Sequence, residues 1–581
     1  MKKTFRSFLS ILLCFALLLP FIGATAQSEQ PLSVWVAADL HYQPHSSIGP
    51  IEEQSFLPGD PLYAHVNDKG MLIYESDAIL HEFLSRFEES SAKYLLIPGD
   101  ISLDGHWDEH LGIAAILNEF KQRTGKKIFV IPGNHDIRTS ESGGRLDLAD
   151  FISVYRDLGY SDALVAHDTS GSYTAELDNE YRLLAWDACI YRKDGSQVTP
   201  ELLAWIEVQV NQAKIDGKKL IGMVHHSVLE HFGIQSLAGN MLCLENYREN
   251  ANKFADWGIK VFFTGHGHAN DISMAVSANG NRIYDIETGC LMTYPNAYRE
   301  VSFSNSAVDV KTHYVDTIDI SYLPPGYNQA QLDLIQRDFP TYSYNYFTAS
   351  IIRAAYDLPQ NASKFARKLK IEEGTPAYEA LATMLDTLAD ALKLPLYDTA
   401  GTPEVDSVEE IAAKAGVTLQ QSDYRNMLEI FGVIYAEHYA GDENLPYDSA
   451  EVTLFRQSFN AVIVFALTNM PISVANTLFV SLGLPASGFH LADKIYTPFA
   501  KRIYMETAAK LVFVEVMKPL LNSFTTDNYA PGDLNETLEP YGVNWDLTGT
   551  TVRITDAGYI FDIIFKLFGI VINAIKAVSA T

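Results

Sequence analysis

Between about residues 33 and 322, short apolar runs alternate with stretches of helical period. The runs fall at 34–38, 94–98, 128–132, 183–186, 220–224 and 261–263, and the clearest helical patterns at Ser76–Glu89 and 201–214. That alternation predicts an α/β domain with buried strands. Arg282–Glu287 and 302–314 read as later antiparallel strands, so the sheet is expected to be mixed. At Leu323-Pro324-Pro325-Gly326 the pattern breaks, and beyond it the periodic segments are helical, among them 376–392, 423–439 and 504–521. We therefore expect an α/β domain over 27–322 and an α-helical accessory domain over 323–581. No period of about 20 to 50 residues recurs, so the helical half does not read as a repeat array.

The two ends carry their own signals. Lys2, Lys3 and Arg6 precede the apolar run 11–22, and Ala24-Thr25-Ala26 supplies small residues for cleavage. Residues 1–26 thus read as a secretory signal peptide, and the expected location is extracytoplasmic or secreted. The apolar stretch 559–578 carries Asp562, Lys566, Gly569, Asn573 and Lys576 at spacings of four and three, one narrow polar stripe on a helix. A charged side chain at a bilayer centre costs about 2.5 to 3.5 kcal/mol, which disfavours a span. Packing within the helical domain is the first reading and peripheral contact with a membrane surface the second.

Composition narrows the partners. The 581 residues hold 43 Lys+Arg against 72 Asp+Glu, a net charge of −29, with 47% hydrophobic residues. This is globular composition with an acidic bias, and loss of the basic leader makes the surface more negative still. Such a surface repels phosphate backbones, so no long nucleic acid is expected as a partner. Of the 4 cysteines, Cys14 lies in the leader, and Cys189, Cys243 and Cys290 form an odd set without zinc-knuckle or CxxC spacing. They read as small buried apolar residues.

Five clusters of potential ligands follow five of the apolar runs: Asp39-Leu40-His41, Gly99-Asp100, Gly133-Asn134-His135-Asp136, His225-His226 and Gly265-His266-Gly267-His268. In α/β domains sites form where strand carboxyl ends converge, so all five can meet in one place. Two residues apart on an extended backbone, Asp39 and His41 can chelate one ion, whereas His266 and His268 in a glycine-flanked turn can face two. Any one cluster alone is ordinary, since Gly-Asp is a common turn and a lone histidine is usually a core residue. Five in order, all oxygen and imidazole donors without thiolate, suit two divalent ions such as Mn, Zn or Fe(II).

This D-x-H, G-D, G-N-H-D, H, G-H-x-H series resembles the calcineurin-like metallophosphoesterase superfamily over about residues 33–322. The resemblance implies a four-layer αββα sandwich, followed here by the mostly α-helical C-terminal domain. It implies Asp39, His41 and His268 as ligands of one metal, Asn134, His225 and His266 as ligands of a second, and Asp100 as the bridge, with His226 the alternative to His225. Two such ions would hold a bridging hydroxide for in-line attack on a phosphoryl group. They outweigh the two carboxylates and the hydroxide, and an amide at 134 preserves that surplus for an anionic ester. By the same resemblance His135 is the leaving-group acid, and Asp136 belongs with it as the residue orienting its loop or ring. Purple acid phosphatases place a tyrosine three positions after the bridging aspartate; Leu103 stands there, so a tyrosinate-bound Fe(III) is not expected. A nucleotidase is not favoured either, because Asn134-His135-Asp136-Ile137 departs from that branch's N-H-E-F.

The long segment 42–74, rich in Pro, Gly and aromatics and containing His45 and His65, reads as a lid. Arg138, His226 and His110 are candidate substrate contacts. The expected function is an exported dinuclear metal-dependent phosphoric ester hydrolase acting on small-molecule or cell-envelope phosphomono- or phosphodiesters. The alternative is a surface-binding or scaffolding protein whose helical domain carries the function.

Overall fold

The computed structural model describes residues 31–48 and 67–469, with breaks at 68, 139–144, 192–194, 234, 305–306, 442–444 and through much of 358–404, and residues 518–538 except 528 and 530. The expected leader 1–26, the stretch 559–578, His65 and most of 504–521 lie outside the described residues. So does most of 376–392.

Two mixed sheets face each other. In the first, β1 (Leu32–Val36), β2 (Tyr94–Ile97) and β3 (Lys127–Val130) run parallel, with Val34 opposite Tyr94 and Leu95 opposite Ile128. The second is ordered β4 (Ala163–Ala166), β5 (Tyr173–Glu176), β6 (Tyr181–Ala185), β7 (Lys219–Met223), β8 (Val261–Thr264), β10 (Arg282–Glu287), β9 (Asp271–Val276). β6, β7, β8 and β10 are parallel there. β11 (Ala297–Phe303) and β12 (Val308–Tyr314) extend the first sheet antiparallel from β1. The expected strand over 302–314 therefore straddles a hairpin, taking in the end of β11, which begins at Ala297, and all of β12.

The alternation of side chains along each strand makes the layers. Val34 and Val36 point between the sheets and meet Leu183, Met223 and Phe263. Trp35 and Leu95, on the opposite face, pack under α1 (Ser76–Glu89) and α2 (Trp107–Thr124) through Phe83, Phe87 and Leu117. On the far side Leu184, Trp186 and Phe262 pack under α4 (Pro200–Ile215) and α5 (Tyr247–Trp257), while the short α3 (Leu148–Val154) adds Phe151 to the first helical layer. The result is the αββα sandwich. Burying apolar side chains on both faces of both sheets supplies the main favourable folding term, at about 25 cal/mol per Å².

The core does not divide at Leu323. α6 (Gln329–Arg337) and α7 (Phe339–Asp357) place Leu334, Ile335, Tyr342 and Tyr346 in the same cluster as Phe83 and Leu95. A separate helical core follows, built from α8 (Val408–Ala415), α9 (Met427–Ala440), α10 (Ala450–Asn469) and α11 (Lys518–Thr525) around Ile411, Ile430, Phe455 and Leu521. Asn426 starts α9 by accepting a hydrogen bond from the Glu429 amide, a regular N-cap. The C-terminal half is not wholly helical, because β13 (Glu536–Leu538) returns to pair antiparallel with β12. Buried Arg299 anchors that return, bonding to the carbonyls of Asp533 and Leu534 and to the Glu287 carbonyl. Among the described residues no helix is long and apolar enough to cross a membrane.

Candidate metal centre

The five clusters meet at the carboxyl ends of β1, β2, β3, β7 and β8, in the cleft between the two sheets. Their turns are tight: Asp39, His41, Asp100, His266 and His268 all have positive φ, between 37° and 73°. Non-glycine residues rarely adopt this region, and such strain collects where side-chain placement matters more than backbone ease. Gly133 is required by contact, since a Cβ there would run into the Asp100 carboxylate.

Backbone bonds tie the turns together. The Asp39 and His41 amides donate to the carbonyls of Gly99 and Asp100 at 3.3 and 3.0 Å. Across the cleft, the Asp39 carboxylate accepts from the His266 amide at 2.9 Å. The donors then converge. His41 Nε2 lies 3.1 Å from His268 Nε2 and 3.7 Å from Asp100 Oδ2, and His268 Nε2 lies 3.5 Å from Asp39 Oδ1. On the other side His225 Nε2 is 3.3 Å from Asp100 Oδ2 and 2.9 Å from Asn134 Oδ1. Two groups suited to an ion result, one of Asp39, His41, Asp100 and His268, the other of Asp100, His225 and His266, and Asp100 belongs to both.

The residues fit two ions on chemistry as well as spacing. Separations of 3.1 to 3.9 Å are those of ligands lying about 2.0 to 2.2 Å from a common centre. His225 donates Nδ1–H to the Pro98 carbonyl at 2.9 Å, and His266 donates Nε2–H to the Met241 carbonyl, so each offers its other nitrogen. Burial pushes His41 well below the usual imidazole range against the pull of Asp100, and pushes His266 down to about 4, so both rings are neutral donors. Burial opposes charge at Asp100 too, yet the His225 and His135 rings hold its carboxyl well below the usual range. His225 is raised to about 9, burial being outweighed by Asp100 and Asp39: these carboxylates draw a cation to that nitrogen.

His135 stands beside the groups, its ring 4.9 Å from that of His41. Its Nδ1–H donates to the Leu103 carbonyl at 2.7 Å, which leaves Nε2 to accept from Arg138 Nη2 at 3.2 Å. The buried Asp136 carboxylate accepts from the amides of Ile101, Ser102 and Gly133 and from the Ser102 hydroxyl, and so staples together the loops that carry Asp100 and His135. Burial and the Asp100 charge raise it to about 7.

Two expected substrate contacts are corrected. His110 is fully buried and spends both nitrogens internally, on Tyr155 Oη at 2.8 Å and on the Asp136 carbonyl at 3.0 Å. His226 is sealed behind His266, ring centroids 4.2 Å apart, with no surface open to substrate. Arg138 alone of the three borders the cleft. His45 pairs with Asp77 at 3.3 Å at the edge of α1, away from the ligands.

Three residues of the centre's surroundings were not anticipated. Cys290, at the exit of β10, is buried and close enough to His41 and His268 to form a third donor group; its strand-exit position after a glycine is the signal that could have found it. Lys69 acts electrostatically on His41 and Asp104. Tyr439 of α9 sets its ring edge-on to His268, 6.3 Å between centroids, and nothing in a helical pattern announces such a contact.

An αββα sandwich whose strand ends gather two imidazole–carboxylate groups around one shared aspartate is the architecture of a metal-dependent phosphoesterase. Residues 32–270 match the family model of the calcineurin-like phosphoesterases, so this part of the chain is similar to that family of metal-dependent hydrolases. No curated protein matches the chain in sequence. Among solved structures it is similar to a dimetal phosphatase from Danio rerio, with 12% identity, 49% of this chain and 97% of that one covered, and a TM-score of 0.38. It is also similar to a purple acid phosphatase from yellow lupin (Lupinus luteus), with 12% identity, 49% and 51% coverage, and a TM-score of 0.32. Likeness of this degree adds nothing to the family match.

Proposed function

We propose that the protein is an exported hydrolase of small or cell-envelope phosphomono- or phosphodiesters that works with two divalent ions. The observation carrying this reading is the sharing of Asp100 between the two donor groups, by which two bound ions would lie within reach of one phosphoryl group. Asp39, His41 and His268 would hold the first, Asn134, His225 and His266 the second, and Asp100 both. When bound, such ions supply an activated water and neutralise phosphoryl charge.

The chain's own residues do the rest. The neutral amide of Asn134, facing His225 at 2.9 Å, adds a ligand without cancelling the attraction for an anionic ester. Arg138 places a guanidinium beside His135 at the cleft, where it can pair with phosphoryl oxygens. His135 is kept in one orientation by the Leu103 carbonyl; once Arg138 turns to the phosphoryl group, Nε2 is free to take a proton from solvent, and the resulting imidazolium gives that proton to the leaving alcohol and returns to the neutral ring. Asp136 fixes the loops that carry Asp100 and His135.

The test is a hydrolysis screen of mono- and diesters with the purified chain lacking residues 1–26, loaded in turn with Mn, Zn and Fe(II). Metal-dependent release of alcohol supports the reading, and no turnover of any ester with two ions bound overturns it. Fractionation of the producing cells checks export, and comparison with a chain lacking 559–581 shows whether that stretch holds the enzyme to a membrane.

A further inference from the structure

The helical half reaches the metal centre at one point. α9 ends at Ala440, and Gly441 closes it with φ 72°, lying so near Asn270 that a Cβ would strike the Asn270 carbonyl. Asn270 in turn donates from its backbone amide and its side chain to the Tyr439 carbonyl, at 3.2 and 3.3 Å, and accepts from the Gly289 amide at 3.1 Å. A residue two positions after the ligand His268 thus clamps Tyr439 in place.

The Tyr439 ring meets His268 edge-on, at 88°. Behind it lie Phe347 at 4.7 Å and Tyr435 at 4.8 Å, and the row continues from Phe347 to Tyr294 at 6.3 Å and from Tyr294 to Tyr344 at 5.2 Å. Tyr294, Tyr344, Tyr435 and Tyr439 are half-buried, so the row keeps partly open faces. The Tyr439 hydroxyl lies 3.4 Å from that of Tyr435, which leaves the ring itself to border the ligand group.

A metal-and-phosphoryl site recognises only the phosphate end of an ester; the alcohol is chosen by whatever wall stands beside it. We infer that Tyr439 is that wall: a specificity residue, supplied by the helical half, that favours phosphoesters whose alcohol carries a ring or similarly flat apolar body. This rests on the phosphoesterase reading above. Ring-on-ring contact beside a desolvated site recognises shape and apolar area with no demand for a hydrogen-bonding pattern.

The experiment compares 2-phenylethyl phosphate with ethyl phosphate, or the corresponding methyl diesters, whose leaving alkoxides have similar basicity. In Tyr439→Ala, KM for the phenylethyl ester is expected to rise about tenfold relative to KM for the ethyl ester, with the bound metal retained. Tyr439→Phe should behave as the wild type. Tyr439→Leu, which keeps apolar volume in the helix, should repeat the loss if the alanine variant unfolds. Competitive inhibition by phenylphosphonate against methylphosphonate gives a readout independent of turnover, and only the former should weaken. Equal changes for both esters, or none, overturn the role of Tyr439 while leaving the phosphoesterase standing. Failure of the metal-loaded wild type to hydrolyse any ester removes both.

Discussion

His41 and His268, 227 positions apart in the chain, bring their Nε2 atoms to 3.1 Å from each other. Burial keeps His41 neutral against the pull of Asp100, with the His135 and His268 rings adding repulsion, so this close pair of ring nitrogens suits a shared cation. Asp100 joins this pair to the second donor group, and metal content should depend on it doubly. In Asp100→Asn we expect hydrolysis to disappear and bound metal to fall from two ions to fewer than one per chain, by elemental analysis after dialysis. Two ions retained at wild-type affinity would remove Asp100 from the bridging role.

The purified enzyme should be colourless. Leu103 stands where a tyrosinate would generate a visible charge-transfer band, and its carbonyl is used to hold His135. Chelation should abolish activity, and added Mn or Zn should restore it, with no strong visible absorption at any stage. A visible band in the native protein would contradict this.

His135 should matter in proportion to the basicity of the leaving group. In His135→Ala, turnover of alkyl esters is expected to fall by roughly 10² to 10⁴ while nitrophenyl esters, which leave without a proton, lose far less. Metal content should stay near two ions, since His135 belongs to neither donor group. Equal loss for both ester types would give His135 a positioning role instead.

His438 makes the helical half sensitive to acid. Set between Phe232 and Phe524 at 5.2 and 5.1 Å, it is pushed down to about 4 by burial, against a weak upward pull from Glu287. Because the folded value lies below the unfolded one, its contribution is fully present above about pH 6.5 and is lost as pH falls toward 4 and below. The shift corresponds to about 3 kcal/mol. His438→Phe keeps the ring contacts and should lose less melting temperature between pH 7 and pH 5 than the wild type. Parallel pH curves for the two proteins would show that His438 titrates elsewhere.

Residue type and local pattern determined most of the centre. Asp39, His41, Asp100, Asn134, His225, His266 and His268 were legible because each follows an apolar run long enough for one buried strand, and parallel strands deliver their ends to one side. Helix α1 was legible to its bounds, Ser76–Glu89, because six of its seven buried side chains, all but Ala78, lie on one 3.6-residue face. The hairpin of β4 and β5 was not, since Ala163–Ala166 is short and mostly exposed and so carries no apolar signature. Nor was β13, whose three residues are a strand only because β12 offers an edge to pair with.

The tertiary structure alone decided which polar residues face the cleft. His110 and Arg138 look alike in sequence as loop-flanking cations, yet α2 turns His110 inward to Tyr155 and the Asp136 carbonyl, while Arg138 reaches His135. Tyr439 lies on a helix whose period announces a buried face but not what its last turn will touch. That depends on Asn270 and Gly441 meeting across 171 residues of chain, a contact set by how two separately cored parts dock. Local pattern encodes which face a side chain takes on its own element; the neighbour it meets there is a property of the packing between elements.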